Sequence, residues 1–119
     1  MKTTFRNLHY ISVTGLEGEH LISVVWGLVV YDERSKFPVN GNVTSSAVVS
    51  ADLETGQFIT QSGTTYIATD GVTQLTMPWS DFIWLRAGFD PDHILIMRQM
   101  EKEGFGHFYM LSDDEEGLP

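Results

Sequence analysis

The chain contains no cysteine. That absence excludes a disulfide framework, a thiolate zinc site, an iron–sulfur cluster and a cysteine nucleophile. It fits a reducing compartment. Basic residues are scarce as well: seven Lys and Arg stand against sixteen Asp and Glu, for a net charge of −9. Non-specific nucleic-acid binding depends on neutralising phosphates with Lys and Arg. The field of this chain instead repels nucleic acid and anionic lipid and attracts a basic partner. Long apolar runs are missing too. The longest, Val24 to Tyr31, would make one buried strand and falls far short of a membrane span. Lys2 and Arg6 near the N-terminus have no such run directly behind them, so no signal peptide is expected and the expected location is cytoplasmic.

Catalytic and nucleotide-binding signatures are equally absent. The sequence has no P-loop, no Gly-x-Gly-x-x-Gly, no Gly-x-Ser-x-Gly and no His-Glu-x-x-His. Asn42-Val43-Thr44 matches a glycosylation sequon, which carries no meaning without secretion.

What remains is the composition of a folded domain. Hydrophobic residues make up 42% of the 119 and charged residues 19%. That is apolar material for one core and too little charge for a disordered chain. Three Trp, four Tyr and seven Phe supply large buried areas without help from metals or disulfides. Charge is uneven along the chain. From Phe37 to Thr69 only Asp52 and Glu54 are charged, whereas Asp113, Asp114, Glu115 and Glu116 form a block of like charge.

The front two-thirds reads as strands. Leu8 to Thr14 alternates, with His9, Ile11 and Val13 the more apolar set and therefore the core-facing one. Gly15 to Glu19 is a turn, and Leu21 to Tyr31 a long strand in which Gly27 marks a bulge or bend. Asn40-Gly41 is a turn signal. Further strands are expected over Val43–Leu53, Gln57–Gln61, Thr64–Thr69 and Val72–Met77. The back third changes period. Pro78 to Arg86 reads as a short helix stopped at Gly88. Asp90-Pro91-Asp92 starts a second, which runs through His93 to about Glu103. Phe105 to Leu111 is expected to return as an edge strand. The fold class is therefore α+β: a small curled antiparallel β-sheet or partly open β-barrel of five to six strands with a C-terminal helical pair. Residues 1–112 are expected to form a single domain, followed by a flexible acidic tail at 113–119.

Several constellations invite a chemical reading. The two helices resemble a helix-turn-helix in spacing, but the second begins with Asp90, Asp92 and His93 where base-reading residues would stand, so no direct nucleic-acid contact is expected. Glu17, Glu19 and His20, or Asp90, Asp92 and His93, contain ligand types for a cation. Carboxylates beside a His on a turn are common, and Asp90 and Asp92 already serve a helix start, so no metal and no cofactor is expected. Asp52, Glu54 and Asp81 are candidates for acid–base work, which requires one partly buried carboxyl. The aromatic group Trp79, Phe82, Trp84 and Phe89 exceeds what one face of a short helix can bury. Either both Trp side chains wrap under the open end of the sheet or at least one is exposed as a binding anchor.

These features lead to a non-enzymatic, acidic protein-binding module. Its expected role is inhibition of a basic-surfaced partner, such as a nuclease or nucleic-acid-binding complex, in the manner of toxin-immunity proteins or phage anti-defence and anti-CRISPR proteins. That analogy is one of class, not of sequence. The candidate partner-binding residues are Trp79, Asp81, Trp84, Asp90, Asp92, Glu101 and Glu103, with Asp113, Asp114, Glu115 and Glu116 as either a solvated end or a docking arm. Two alternatives stand beside this reading. One is an assembly subunit acting by oligomerisation, with a homodimer through an exposed strand edge. The other is a small ligand-binding barrel or enzyme with its site among His9, His20 and the aromatic residues.

Overall fold

Two strands of thirteen residues, β1 (Lys2–Thr14) and β2 (His20–Asp32), organise residues 1–103, the part of the chain described by the computed structural model. They pair antiparallel from Thr3↔Asp32 to Thr14↔His20. The shorter strands are β3 (Asn42–Thr44), β4 (Val48–Asp52), β5 (Gln57–Thr60), β6 (Thr65–Ala68) and β7 (Val72–Pro78). Helices α1 (Trp79–Arg86) and α2 (Pro91–Lys102) follow. By contacts the chain divides into two units, Met1–Gly88 and a second that begins at Phe89 and contains α2.

The sheet has seven strands and is mixed and open, in the order β3-β2-β1-β6-β5-β4 with β7 also on β1. Two expectations are corrected here. The five or six antiparallel strands are seven, because the single strand expected over Val43–Leu53 is broken into β3 and β4 by Ser45–Ala47. Ser45 turns away to serve β2: its N–H donates to the Val25 carbonyl and its Oγ accepts the Val25 N–H, both at 2.9 Å. The sheet is also not purely antiparallel. β6 runs parallel to Lys2–Phe5, and β7 runs parallel to Leu8–Thr14 along the same edge of β1. The strand expected from Leu8 begins six residues earlier, at Lys2, because those first residues pair with β6. The edge strand expected over Phe105–Leu111 and the tail from residue 113 lie outside the described residues.

β6 and β7 occupy one lane, interrupted at Thr69–Gly71. The interruption faces a bulge in β1, where Asn7 and Leu8 together oppose Gly27 between the pairs Arg6↔Leu28 and His9↔Trp26. Gly27 therefore does mark a bulge, with the extra residue on the partner strand. Asn7 takes φ +54°, a conformation that Asn tolerates better than most residues. Its N–H, freed from the ladder, donates to the Asp70 carboxylate at 3.0 Å, while the Thr69 N–H and hydroxyl donate to the Phe5 carbonyl at 2.9 and 3.1 Å. Asp70→Ala removes the acceptor for Asn7. The site is exposed and water replaces part of the bond, so the expected loss is about 1 kcal/mol, read as a lowered midpoint in urea.

The bulge also reverses which residues share a face. Phe5, before it, and Leu8, after it, lie in one buried cluster with Val25, Val29, Phe58 and Tyr66. Phe5 and Tyr66 stack at 4.9 Å, and Tyr10 and Phe58 at 5.1 Å. Beyond the bulge His9, Ile11 and Val13 are buried on the other face, as their alternation predicts, where Trp26 and Met77 are buried too. α1 lies beside β3: the Thr44 hydroxyl donates to the Leu85 carbonyl and the Asn42 amide to the Gly88 carbonyl. These two contacts tie α1 to the side chains of β3.

In the second unit α2 starts as its sequence dictates. Asp90 accepts the His93 N–H at 2.7 Å, Pro91 takes the first position, Asp92 lies in the first turn and Lys102 in the last. No helix among the described residues is long and apolar enough to cross a membrane.

Candidate functional site

β1 and β7 run in the same direction with Thr14 opposite Pro78. The chain therefore leaves the sheet at the same end after each strand, into the Gly15–Glu19 turn after β1 and into α1 after β7. This end of the molecule carries the most exposed large hydrophobic side chain of the described residues, Leu16, at 90%.

The turn that presents Leu16 is tightly braced. Gly15 N–H donates to the Glu19 carbonyl at 2.8 Å and Gly18 N–H to the Gly15 carbonyl at 3.1 Å, with Gly18 at φ +82°. The Glu17 N–H donates to the Glu19 carboxylate at 3.0 Å. That carboxylate folds over Gly15 so closely that a Cβ there would lie 2.5 Å from its carboxyl carbon. A side chain at position 15 would displace the exposed tip of Glu19 and release the Glu17 N–H from it. Glu17 and Glu19 are both exposed, and neither has a basic side chain at ion-pair distance among the described residues. Leu16 stands beside two carboxylates on a backbone that has little ordering left to do on binding.

α1 adds the second half of the surface. Its apolar residues surround the helix, and an eight-residue helix has one inward side. Leu85 takes it, with Asp81 and Phe82 half-buried on either flank. The opposite arc carries Trp79, Ile83 and Trp84, exposed by 43%, 53% and 47%. Neither Trp is buried under the sheet. The Arg86 guanidinium lies over the Phe82 ring at 5.9 Å, at the far end of the helix from Trp79.

The residues expected to bind a partner are therefore divided between the two units. Trp79, Asp81 and Trp84 share α1. Asp90, Asp92, Glu101 and Glu103 belong to α2, where Asp90 is occupied as a cap and Glu103 accepts the Gln99 side-chain amide. Asp113 to Glu116 lie outside the described residues. Leu16 and Ile83 were not anticipated as binding residues, and Glu17 and Glu19 were weighed only as metal ligands. The signal available in the sequence was a leucine flanked by glycine and glutamate in a turn.

His9, His20 and Asp52, considered for chemistry, have local partners. No group of three metal-ligating side chains gathers among the described residues. His20 Nε2 lies 2.9 Å from the Ser23 hydroxyl, and the His93 ring packs on Phe89 at 5.2 Å. The buried His9 donates from Nδ1 to the Asn7 carbonyl and meets the Trp26 ring edge-on at 5.6 Å. Asp52 is exposed and accepts the N–H groups of Glu54 and Thr55. The N–H and hydroxyl of Thr55 hold its carboxyl below the usual range, the opposite of what a general acid needs.

One carboxylate is deeply engaged. Asp32, at the end of β2, has a side chain only 1% exposed. Its Oδ1 accepts the Thr3 hydroxyl at 2.9 Å and the Arg34 N–H at 3.4 Å. Its Oδ2 accepts the Lys36 N–H at 2.6 Å and the Phe37 N–H at 3.0 Å. The Arg34 guanidinium lies 3.7 Å away. Burial pulls this carboxyl upward, but the hydrogen bonds together outweigh it and hold the group below the ordinary carboxylate range. Tyr66 nearby is pushed above its ordinary value, chiefly by burial. Asp32 has the environment of a structural anchor for the loop after β2, with all its acceptor directions in use.

Comparison of the chain with protein families, curated proteins and solved structures finds no match. The geometry alone carries the functional reading.

Proposed function

We propose that this protein is a non-enzymatic binding module that docks a basic-surfaced protein through the end of the sheet formed by the Gly15–Glu19 turn and α1. The observation that carries the reading is the braced turn, which holds Leu16 90% exposed beside Glu17 and Glu19 where Trp79 leaves the sheet. Exposed aromatic and aliphatic anchors rimmed by charge are the anatomy of a protein interface. Carboxylates at the rim select a cationic partner and speed its encounter. Phe5, Leu8, Val25, Val29, Phe58 and Tyr66 pack in one buried cluster, which favours a surface over an internal ligand cavity. In this reading the protein works in the cytoplasm as an inhibitor of a basic partner such as a nuclease, in the manner of immunity or anti-defence proteins.

The test is affinity capture at about 0.1 M salt followed by mass spectrometry, with wild type and two variants, Glu17→Lys/Glu19→Lys and Trp79→Ala/Ile83→Ala. All four positions are exposed, so circular dichroism is expected to be unchanged. Wild type is expected to retain a basic protein, and each double variant to weaken that complex about tenfold or more, a loss of about 1.4 kcal/mol. Equal retention by both variants, or no basic protein held by wild type, overturns the proposal.

A further inference from the structure

Four of the seven basic residues gather at the other end of the β1–β2 ribbon. Lys2 opens β1, Arg34 and Lys36 follow β2, and Arg6 reaches from β1 to Asn40 at 3.1 Å. The pair Thr3↔Asp32 places the start of β1 and the end of β2 side by side, so Lys2, Arg34 and Lys36 share one end. Arg34 is partly neutralised by Asp32, the exposed Glu33 donates its N–H to the Lys2 carbonyl, and Asp70 lies beside Arg6 at Asn7. The four cations, of which Lys2, Arg6 and Lys36 are exposed, thus keep an excess of one positive charge. Arg34 and Lys36 both lie over the Phe37 ring, at 5.7 and 5.6 Å. Exposed apolar side chains stand among the cations: Met1 at 58%, Tyr31 at 61% and Val39 at 65%.

The ribbon is thus polarised. One end is acidic with Leu16 and Trp79, and the other is basic with Met1, Tyr31 and Val39. Thirteen extended residues separate them by about 40 Å, several Debye lengths at 0.1 M salt, so each end acts on a neighbour independently of the other. The two ends carry opposite net charge, and both present exposed apolar side chains.

We infer that the basic end docks on the acidic end of a second copy of this chain, head to tail. The inference rests on the reading of the acidic end as a docking surface and names one occupant for it. Such a contact is heterologous: each copy keeps one free acidic and one free basic end, so growth continues past the dimer unless a rotation closes it into a ring. The net charge of −9 opposes association at long range, and the contact gains only where opposite ends face each other within a Debye length.

The experiment measures mass in solution over a concentration series up to about 300 μM at about 0.1 M salt, by light scattering and sedimentation. Wild type is expected to associate as concentration rises, as open chains or as an assembly closed by rotation, and to revert to monomer at about 1 M salt, where screening shortens to about 3 Å. Glu17→Lys/Glu19→Lys and Lys2→Glu/Lys36→Glu are each expected to remain monomeric, because each variant carries the same sign at both ends. Mixed in equal amounts they are expected to associate again, since every contact then joins opposite signs. A wild type that stays monomeric, or a mixture that fails to associate, overturns the inference. If wild type is monomeric yet retains a basic protein that Glu17→Lys/Glu19→Lys loses, the docking surface stands and only the second copy falls as its occupant. If that variant changes neither retention nor mass, both readings fall.

Discussion

Asp32→Ala lowers the stability of the fold by about 4 kcal/mol, a large fraction of what a domain of this size possesses. The expectation follows from what the carboxylate holds. Four donors converge on it: the Thr3 hydroxyl and the N–H groups of Arg34, Lys36 and Phe37. Thr3 belongs to β1, and the N–H groups belong to the loop that returns to β3, so one side chain ties the central strand pair to its outgoing connection. Alanine leaves these donors facing a buried space, and each loses up to about 1–3 kcal/mol unless water enters. The Arg34 guanidinium, 3.7 Å from Oδ1, loses its counter-charge as well. Asp32→Asn separates shape from charge. If the amide oxygen faces Lys36 and Phe37, the amide NH₂ faces the Thr3 hydroxyl, which can turn to accept. The expected loss is then about half that of alanine. Urea denaturation of the three proteins checks the order wild type, Asn, Ala.

The same carboxylate gives the protein an acid-sensitive element. Its folded value is lowered from 3.8 by hydrogen bonds that outweigh burial. A lowered folded value means that the unfolded chain takes up the proton first as pH falls. The contribution is complete above the unfolded value and drains away as pH drops from there through the folded one. Thermal midpoints of wild type therefore fall below about pH 4 more steeply than those of Asp32→Asn, which has no proton to bind at that position. Parallel curves for the two proteins would assign the acid sensitivity elsewhere.

How much of this was legible depends on whether the deciding contact is local. The start of α2 was readable from Asp90-Pro91-Asp92 because a cap, a proline and a dipole charge act within one turn, and Asp90 caps His93 as expected. The turns at Gly15–Glu19 and Glu54–Gly56 were readable for the same reason. The lane of β6 and β7 along β1 was not. Strand composition states that a segment is extended, and it carries no record of which edge it pairs with or in which direction. Asn7 shows the limit most clearly, since its strained conformation is supported by Asp70, sixty-three residues away. The exposed end at Leu16 and α1 was half legible. The aromatic excess of α1 could be counted, yet a helix apolar on all sides does not say which side faces the sheet. Asp32 lies in a connection that reads as merely polar, and its role appears only when Thr3 is placed beside it.

Gly27→Ala is the second substitution with a severe expected effect, and it tests the close approach of Phe5 at the bulge. Gly27 lies in the middle of β2, opposite the bulge formed by Asn7 and Leu8. A Cβ added there would lie 2.5 Å from Phe5 Cγ and 2.7 Å from Phe5 Cβ. The clash involves the root of the Phe5 side chain, which cannot swing aside as a flexible tip would. Phe5 is fully buried and stacks on Tyr66, so neither the ring nor its neighbours have free volume to yield. Strain therefore passes to the backbone, where β1 and β2 separate at the bulge and the Phe5–Tyr66 stack opens. Overpacking of this kind costs about 3 kcal/mol or more. The strand character of alanine and its lower unfolded-state entropy return at most about 1 kcal/mol, so the sign of the change is fixed by the ring. A second substitution separates this cause from a general intolerance of β2. Phe5→Leu alone loses aromatic contact and is destabilising. Combined with Gly27→Ala it removes ring atoms from the space the new methyl enters. The double variant is thus expected to be more stable than the sum of the two single losses by about 1 kcal/mol or more. Strict additivity in the four-protein cycle would show that Gly27 is needed for the bend of its own backbone and not for the approach of Phe5.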